Sequence, residues 1–530
     1  MPNAWFLITL TLVFLAGYAL SKIGRRPPDC PPGPPTLPII GNLHQIPTKD
    51  PYLQFEKWAQ EYGEIYSLML GTTVLIVLSS DNVVKELMVK RSGIYSSRPD
   101  MEILRDLSGG NTRVTFMPYG EEWRLVRKIY HNTLDVKAAD SYVPYQDLES
   151  KHLLAGFLEA PDSFEDHLKR YTHSQTTQIV FGFRIISIHD PNLKQFFESF
   201  EQVVVATQAT SAALLDLFPI LRRLPEICLP MKRRAKRLHK AEELLYGGHW
   251  SRAKAKVEQG KLKSCFSVDL CKAQKEYGFS DKLASYIAGV QLEGGTDSSV
   301  ATLLGFVLAM LLFPDVQKTA QRELDRVCGS RLPTMQDEES LPYIRGCVKE
   351  TLRWFPTAVL GLPHATTRND EYQGYHIPKD ATVLMNVWTL HQNPDRYPEP
   401  TEFNPLRFIN DKQTSSEAAM NSDISQRDHF MFGIGRRICP GMNIADRSLF
   451  LAISRLLWAF RFEKALDEDG KEIVPEARAV TQASLVQPLP FPVKIIPRSD
   501  MHAEMIKTQW KESQDLLDEE GQWLSPAHSL

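Results

Sequence analysis

The chain has 530 residues, 43% hydrophobic and 24% charged, with a formal net charge of −3. This is ordinary globular composition for one large body, and the near-neutral balance excludes nucleic-acid binding through bulk charge. The seven cysteines (Cys30, Cys228, Cys265, Cys271, Cys328, Cys347 and Cys439) are odd in number and contain no CxxC spacing. That excludes a disulfide framework or zinc ribbon and points to a reducing compartment.

Residues 4–20, AWFLITLTLVFLAGYAL, carry no charge and reach the short limit for a bilayer-crossing helix. Lys22, Arg25 and Arg26 follow, placing the rest of the chain on the cytosolic side. A cleaved signal peptide, with Gly17-Tyr18-Ala19 as its cleavage-like site, is the rival reading. No positive charge precedes the apolar run, which favours an uncleaved anchor over residues 1–26. Residues 27–42 contain seven prolines and are predicted to form a stiff, non-helical hinge.

Residues 66–79, YSLMLGTTVLIVLS, predict a hairpin turning at Gly71-Thr72. Helical patterns dominate from about residue 81. The longest spans 280–313, before Pro314, and another spans 343–354. Residues 216–240 combine apolar positions with a dense basic run, read as a solvated helix face or a surface for anionic lipid. Strand-like runs return at 381–390 and 491–496, residues 411–428 read as a polar loop, and 501–530 as a polar, acidic tail. The expected fold class is mainly α with small β-sheets, with one body over 43–500.

Near the end of that body lies FGIGRRICPG, residues 432–441, with a lone cysteine among glycines and arginines. A thiolate is a strong axial ligand to haem iron, and it requires backbone N–H groups from a tight loop. Gly433, Gly435 and Gly441 would permit the loop, Phe432 would shield the sulfur, and Arg437 would meet a haem propionate. A helix after Cys439 would aim its N-terminal dipole at the sulfur.

The pattern FxxGxRxCxG, with Phe432, Gly435, Arg437, Cys439 and Gly441 at its fixed positions, resembles the haem-binding signature of the cytochrome P450 family. Glu350-Thr-Leu-Arg353 is similar to the family's ExxR. FNPLRF, residues 403–408, retains Arg407 but carries Leu406 where a glutamate is usual. The resemblance implies a buried Glu350–Arg353–Arg407 network. It also implies propionate contacts from Trp123, Arg127 and His364, and cofactor contacts from Phe432, Gly433 and Arg437, with Cys439 as the iron ligand.

EGGTDSS, residues 293–299, lies inside the longest helix, where two adjacent glycines cost roughly 2 kcal/mol relative to alanine. They are expected to loosen the helix beside a flat cofactor. The resemblance assigns proton delivery to Asp297 and Ser298, the latter replacing the usual threonine. It places Val114, Phe116, Glu293, Gly294, Val359, Leu360 and Leu485 at a largely apolar substrate pocket.

The resemblance implies a haem-thiolate monooxygenase acting on a lipophilic small molecule with O2, similar to fungal members of secondary metabolism. Electrons would come from NADPH through NADPH-cytochrome P450 reductase, with cytochrome b5 as a second donor and Arg436 on the docking face. The implied location is the endoplasmic reticulum membrane, single-pass, with the catalytic domain in the cytosol. The alternative is a haem-thiolate isomerase or dehydratase that needs no external electrons.

Overall fold

A computed structural model describes residues 4–208, 210–262 and 264–524. Helix α1, Ala4–Lys22, leads the chain with Trp5, Phe6, Leu12, Val13 and Phe14 exposed. Residues 27–42 are non-helical as expected, but they are no free hinge. Ser67 donates to the Pro31 and Pro32 carbonyls at 2.6 and 2.7 Å, and Asn42 Nδ2 donates to those of Pro34 and Pro35. Arg26 turns inward and donates to the Gly33, Pro34 and Ser67 carbonyls, so Lys22 and Arg25 are the exposed cations after α1.

The hairpin forms as expected from β1, Ile65–Leu70, and β2, Thr73–Leu78, with Gly71 at φ +57° in the turn. Together with β3, His364–Ala365, and β6, Thr382–Met385, it builds a sheet of order β1-β2-β6-β3 in which β2 and β6 run parallel. Two small sheets pair β4, Asp370–Tyr372, with β5, Tyr375–Ile377, and β7, Phe460–Lys464, with β8, Val493–Pro497. The strand expected at 381–390 stops at Met385, because the Asn386 side chain accepts from Thr389 N and caps a short helix, Val387–His391.

Helices make up most of the rest, and those around the site are α2, Glu121–Thr133; α3, Val143–Glu159; α4, Phe164–Phe181; α5, Pro230–Glu258; α6, Asp281–Leu312; α7, Pro314–Val327; α8, Pro342–Trp354; and α9, Met442–Ala459. Helix α6 starts where the sequence places it, with Ser280 Oγ accepting from Leu283 N at 3.1 Å. Its most apolar window is 78% buried, so its hydrophobicity serves the core rather than a bilayer. Its second half packs with α3, α4, α8 and α9 in the largest apolar cluster, against which Cys439 also lies.

The region 411–428 is not all loop. Thr414 and Glu417 form a capping box and start a helix, Ser415–Met420. The segment read as a polar, acidic tail is folded over residues 501–524, and its last six residues lie outside the described ones. Helix α10, Asp500–Gln514, docks on α3, with Trp510 stacked on His152 at 4.3 Å and His502 edge-on to Trp458 at 4.7 Å. Beyond it Trp523 meets Tyr145 at 5.3 Å, and Arg184 donates to the Gly521 carbonyl.

If this docking holds the fold, Trp510→Ala should lower stability by about 2 kcal/mol, read as a shift in the urea midpoint. An unchanged midpoint would mean that the segment lies on the body without supporting it.

Candidate active site

Cys439 sits between a 3-10 turn, Gly435–Arg437, and the first residue of α9. Phe432 carbonyl accepts from Cys439 N at 2.8 Å and closes the loop. Gly433 and Gly435 have φ of +71° and +67°, and a Cβ on Gly435 would lie 2.2 Å from the Met88 carbonyl. Those two glycines are required by the backbone. Gly441 is not, since its φ is −91° and a Cβ would meet nothing within 4 Å. Its part is different: burial raises the Cys439 thiol pKa, and the Gly441 N–H and the Arg127 guanidinium oppose that rise by favouring thiolate. The positive end of α9 acts in the same direction.

The loop is held from α8. Glu350 and Arg353 are wholly buried. The carboxylate accepts from Arg353 Nε and Nη2 at 2.6 and 2.7 Å, from Arg407 Nε at 3.1 Å and from Asn404 N at 2.8 Å. Arg353 Nη1 then donates to the His391 and Pro400 carbonyls. Leu406 is 57% exposed, so the missing glutamate of that motif leaves the network whole.

His391 was not singled out in the sequence, yet it connects this network to the cysteine loop. Its Nε2 accepts from Phe430 N at 2.8 Å, so Nδ1 carries the proton and donates to the Arg353 carbonyl at 2.9 Å. Burial keeps the ring neutral, with a pKa far below the ordinary value.

Trp123, Arg127, His364 and Arg437 lie near one another, and a further cation joins them. Arg98 donates to the Thr115, Leu362 and Pro363 carbonyls, fixing the residues just before His364. Arg437 stacks over Trp123 at 4.3 Å and donates to the Ser96 and Met117 carbonyls. His364 Nδ1 lies 2.7 Å from the Tyr95 carbonyl, and burial, then Arg98, hold its pKa down at about 3. Burial, then Arg98 and Arg127, push Arg437 down to about 8. Among the described residues, none of Arg98, Arg127 and Arg437 forms an ion pair with a carboxylate. Arg98 is buried and Arg127 and Arg437 are half-buried, and three cations so placed are costly unless an anion joins them. Haem would fit, because its propionates would supply the anion and Cys439 would offer a soft thiolate ligand.

On α6, Asp297 is buried, and burial followed by the charge of Glu293 raises its pKa to about 7. Ser298 Oγ donates to the Gly294 carbonyl at 2.8 Å. The helix is unbroken here, so the glycines do not loosen it. A Cβ on Gly295 would lie 2.8 Å from Thr176 Oγ1 of α4, whereas one on Gly294 would meet open space. Glu293, expected at the substrate, is engaged by protein instead: Arg113 Nη1 donates to it at 2.6 Å, and so does the Tyr246 hydroxyl. Val114 packs in the cluster that holds Trp123, Tyr246 and Leu292, and Leu360 lies between two other clusters. Val359 and Phe116 are buried, and Leu485 is half-buried.

The cytochrome P450 family model matches residues 31–494. The chain is 49% identical to cytochrome P450 monooxygenase virE of Hypocrea virens, over 100% of this chain and 96% of that protein. It is also 49% identical to cytochrome P450 monooxygenase fogE of Aspergillus ruber, over 100% of this chain and 98% of that one. With cytochrome P450 monooxygenase fsoB of Humicola fuscoatra it shares 47% identity over 98% of this chain and 97% of that one. A single thiol in a closed loop, pinned to a buried Glu–Arg pair beside unpaired cations, is consistent with the haem-thiolate cofactor that this family implies. The chain belongs to the cytochrome P450 family and is a monooxygenase.

Glu350→Gln removes the charge that two buried arginines share and should cost about 3–5 kcal/mol in urea unfolding. Leu406→Glu, at an exposed position, should stay within about 0.5 kcal/mol of the parent. Equal effects would mean that Glu350 does not carry the network.

Proposed function

We propose that this enzyme inserts one oxygen atom of O2 into a lipophilic small molecule. Electrons reach it from NADPH through a membrane-bound cytochrome P450 reductase, with cytochrome b5 as a second donor. The observation that carries the reading is the acid-free trio Arg98, Arg127 and Arg437 beside the closed Cys439 loop. Cys439 would hold the iron, Arg437, Arg127, Arg98, Trp123 and His364 would hold the propionates, and Phe432 and Gly433 would cover the sulfur. Bound haem supplies dioxygen activation, with thiolate donation favouring O–O cleavage. Asp297 holds a proton near neutral pH and passes it to Ser298 Oγ, whose lone pairs are free to accept while its own hydrogen is engaged by the Gly294 carbonyl. Val114, Phe116, Gly294, Val359, Leu360 and Leu485 line an apolar substrate space, and Arg436, exposed beside the loop, belongs to the reductase-facing surface. The resemblance to fungal proteins supports a place in secondary metabolism.

The same reading places the protein on the endoplasmic reticulum membrane, catalytic body in the cytosol. Helix α1, at 1.5 Å per residue, is about 28 Å long, near the hydrocarbon thickness. Apolar side chains are exposed in two further segments of the body. Leu37 and Ile39 are exposed, the Ile40 carbonyl accepts from Gly71 N, and Thr72 Oγ1 donates to the Leu217 carbonyl. In the second segment, Ile220, Leu224 and Ile227 are 64%, 46% and 78% exposed. Arg223, Arg233, Arg234 and Arg237, close in sequence to these residues, are exposed as well, as suits an anionic leaflet.

The reduced holoprotein with carbon monoxide should show the red-shifted Soret band of thiolate ligation, and Cys439→Ser should lose it. Product formation should require NADPH, reductase and O2 together, so turnover without NADPH would favour the isomerase alternative. A chain lacking residues 1–22 should still sediment with vesicles containing anionic lipid, and Ile220→Ser with Ile227→Ser should reduce that binding severalfold. Unchanged binding would remove this surface from the membrane contact.

A further inference from the structure

Asp428 and His429 precede the cysteine loop and are 3% and 2% exposed. His429 Nδ1 accepts from Met431 N at 3.1 Å, so the ring proton sits on Nε2. That nitrogen has no hydrogen-bond partner, and Asp428 Oδ1, 3.6 Å away, is out of reach. Burial, then the charges of Lys349, Arg396 and Arg427, keep the ring neutral with a pKa of about 3. A phenylalanine here would bury no orphan N–H, so packing alone does not call for imidazole. What imidazole adds is a ring whose place is fixed by a bond to the backbone.

The fixed ring bears on Phe432. Their centroids are 5.0 Å apart at 65°, an edge-to-face contact. The Phe432 carbonyl accepts from Cys439 N, but that bond leaves the phenyl ring free to turn about χ1 and χ2. Its orientation must come from what packs against it. His429 is in turn walled in by His391, 6.4 Å away at 79°. Lys349 of α8, wholly buried, donates to Asp411 at 2.5 Å and lies 3.4 Å from Asp428 Oδ2. Lys349 and Glu350 are neighbours, so one helix holds the cysteine loop through Glu350 and the segment carrying His429 through Lys349.

We propose that His429 is a positioning residue that keeps the Phe432 ring over the Cys439 sulfur and so holds the reduction potential of bound haem low. The proposal rests on the reading of Cys439 as the iron ligand and Phe432 as its cover. Reduction adds one negative charge to an iron–thiolate centre. Water at the sulfur would stabilise that charge and raise the potential, whereas an apolar ring held there keeps water away. His429 acts through Phe432, so its effect should vanish when the phenyl ring is gone.

The test is a redox titration of the full-length holoenzyme carrying His429→Ala, His429→Asn or His429→Phe, each first checked for haem content and for the red-shifted Soret band with carbon monoxide. Asparagine keeps an acceptor for Met431 N without a ring, and phenylalanine keeps a ring without the acceptor. His429→Ala and His429→Asn should raise the potential. His429→Phe should leave it near the parent value while lowering the urea midpoint. In a Phe432→Ala background, His429→Ala should add no further shift. Should His429→Ala fail to hold haem, the asparagine and phenylalanine variants carry the comparison. The proposal is overturned if His429→Phe shifts the potential as far as His429→Asn, if no variant shifts it, or if the two alanine changes add. Each of those results leaves the Cys439 reading standing, whereas a parent protein without the red-shifted band sinks that reading itself.

Discussion

The Glu350 carboxylate accepts four hydrogen bonds in a place closed to solvent, and the position of the Cys439 sulfur follows from that fact. From Arg353 the connection runs through His391 to Phe430, whose carbonyl accepts from Gly433 N, and then through Phe432 to Cys439 N. Each link after the first is a neutral bond worth about 1 kcal/mol. The ion pair is what makes the sequence rigid, because releasing it would strand charge in the core. The tautomer of His391 is part of the design, since only one ring nitrogen can accept from Phe430 while the other donates to Arg353.

Two clusters near the cysteine loop and the long helix carry unbalanced charge of opposite sign. Among the described residues, Arg98, Arg127 and Arg437 form no ion pair with a carboxylate. Glu242 and Glu293 share one arginine. Ordinary folding favours neither arrangement, because a hydrophobic replacement of equal volume would be at least as stable. The cationic trio is the place where an anion would be balanced, as the propionates of haem would be.

Local features were readable in the sequence to the extent that their causes are local. The β1–β2 hairpin shows because Gly71 supplies the turn, and α6 shows because Ser280 caps it and Pro314 follows it. The Glu350–Arg353 pair is visible as a helix spacing, but its third member was recognisable only through a resemblance. Arg98 and His391 escaped because each acts through backbone carbonyls and amides of distant segments. Glu293 was placed at the substrate because its true partner is 180 positions away. The capping box at Thr414 and Glu417 was legible, yet the polar composition of 411–428 hid it. Asn386 likewise ended a strand that composition alone would have prolonged.

The docking of α10 has a bearing on how the body comes apart. His502, Ile506, Trp510 and Trp523 cover α3 and α9 around His152, Tyr145 and Trp458. Lifting this segment would bare those aromatic faces to water while the central helices still held, so the first partly opened form would be an adhesive one.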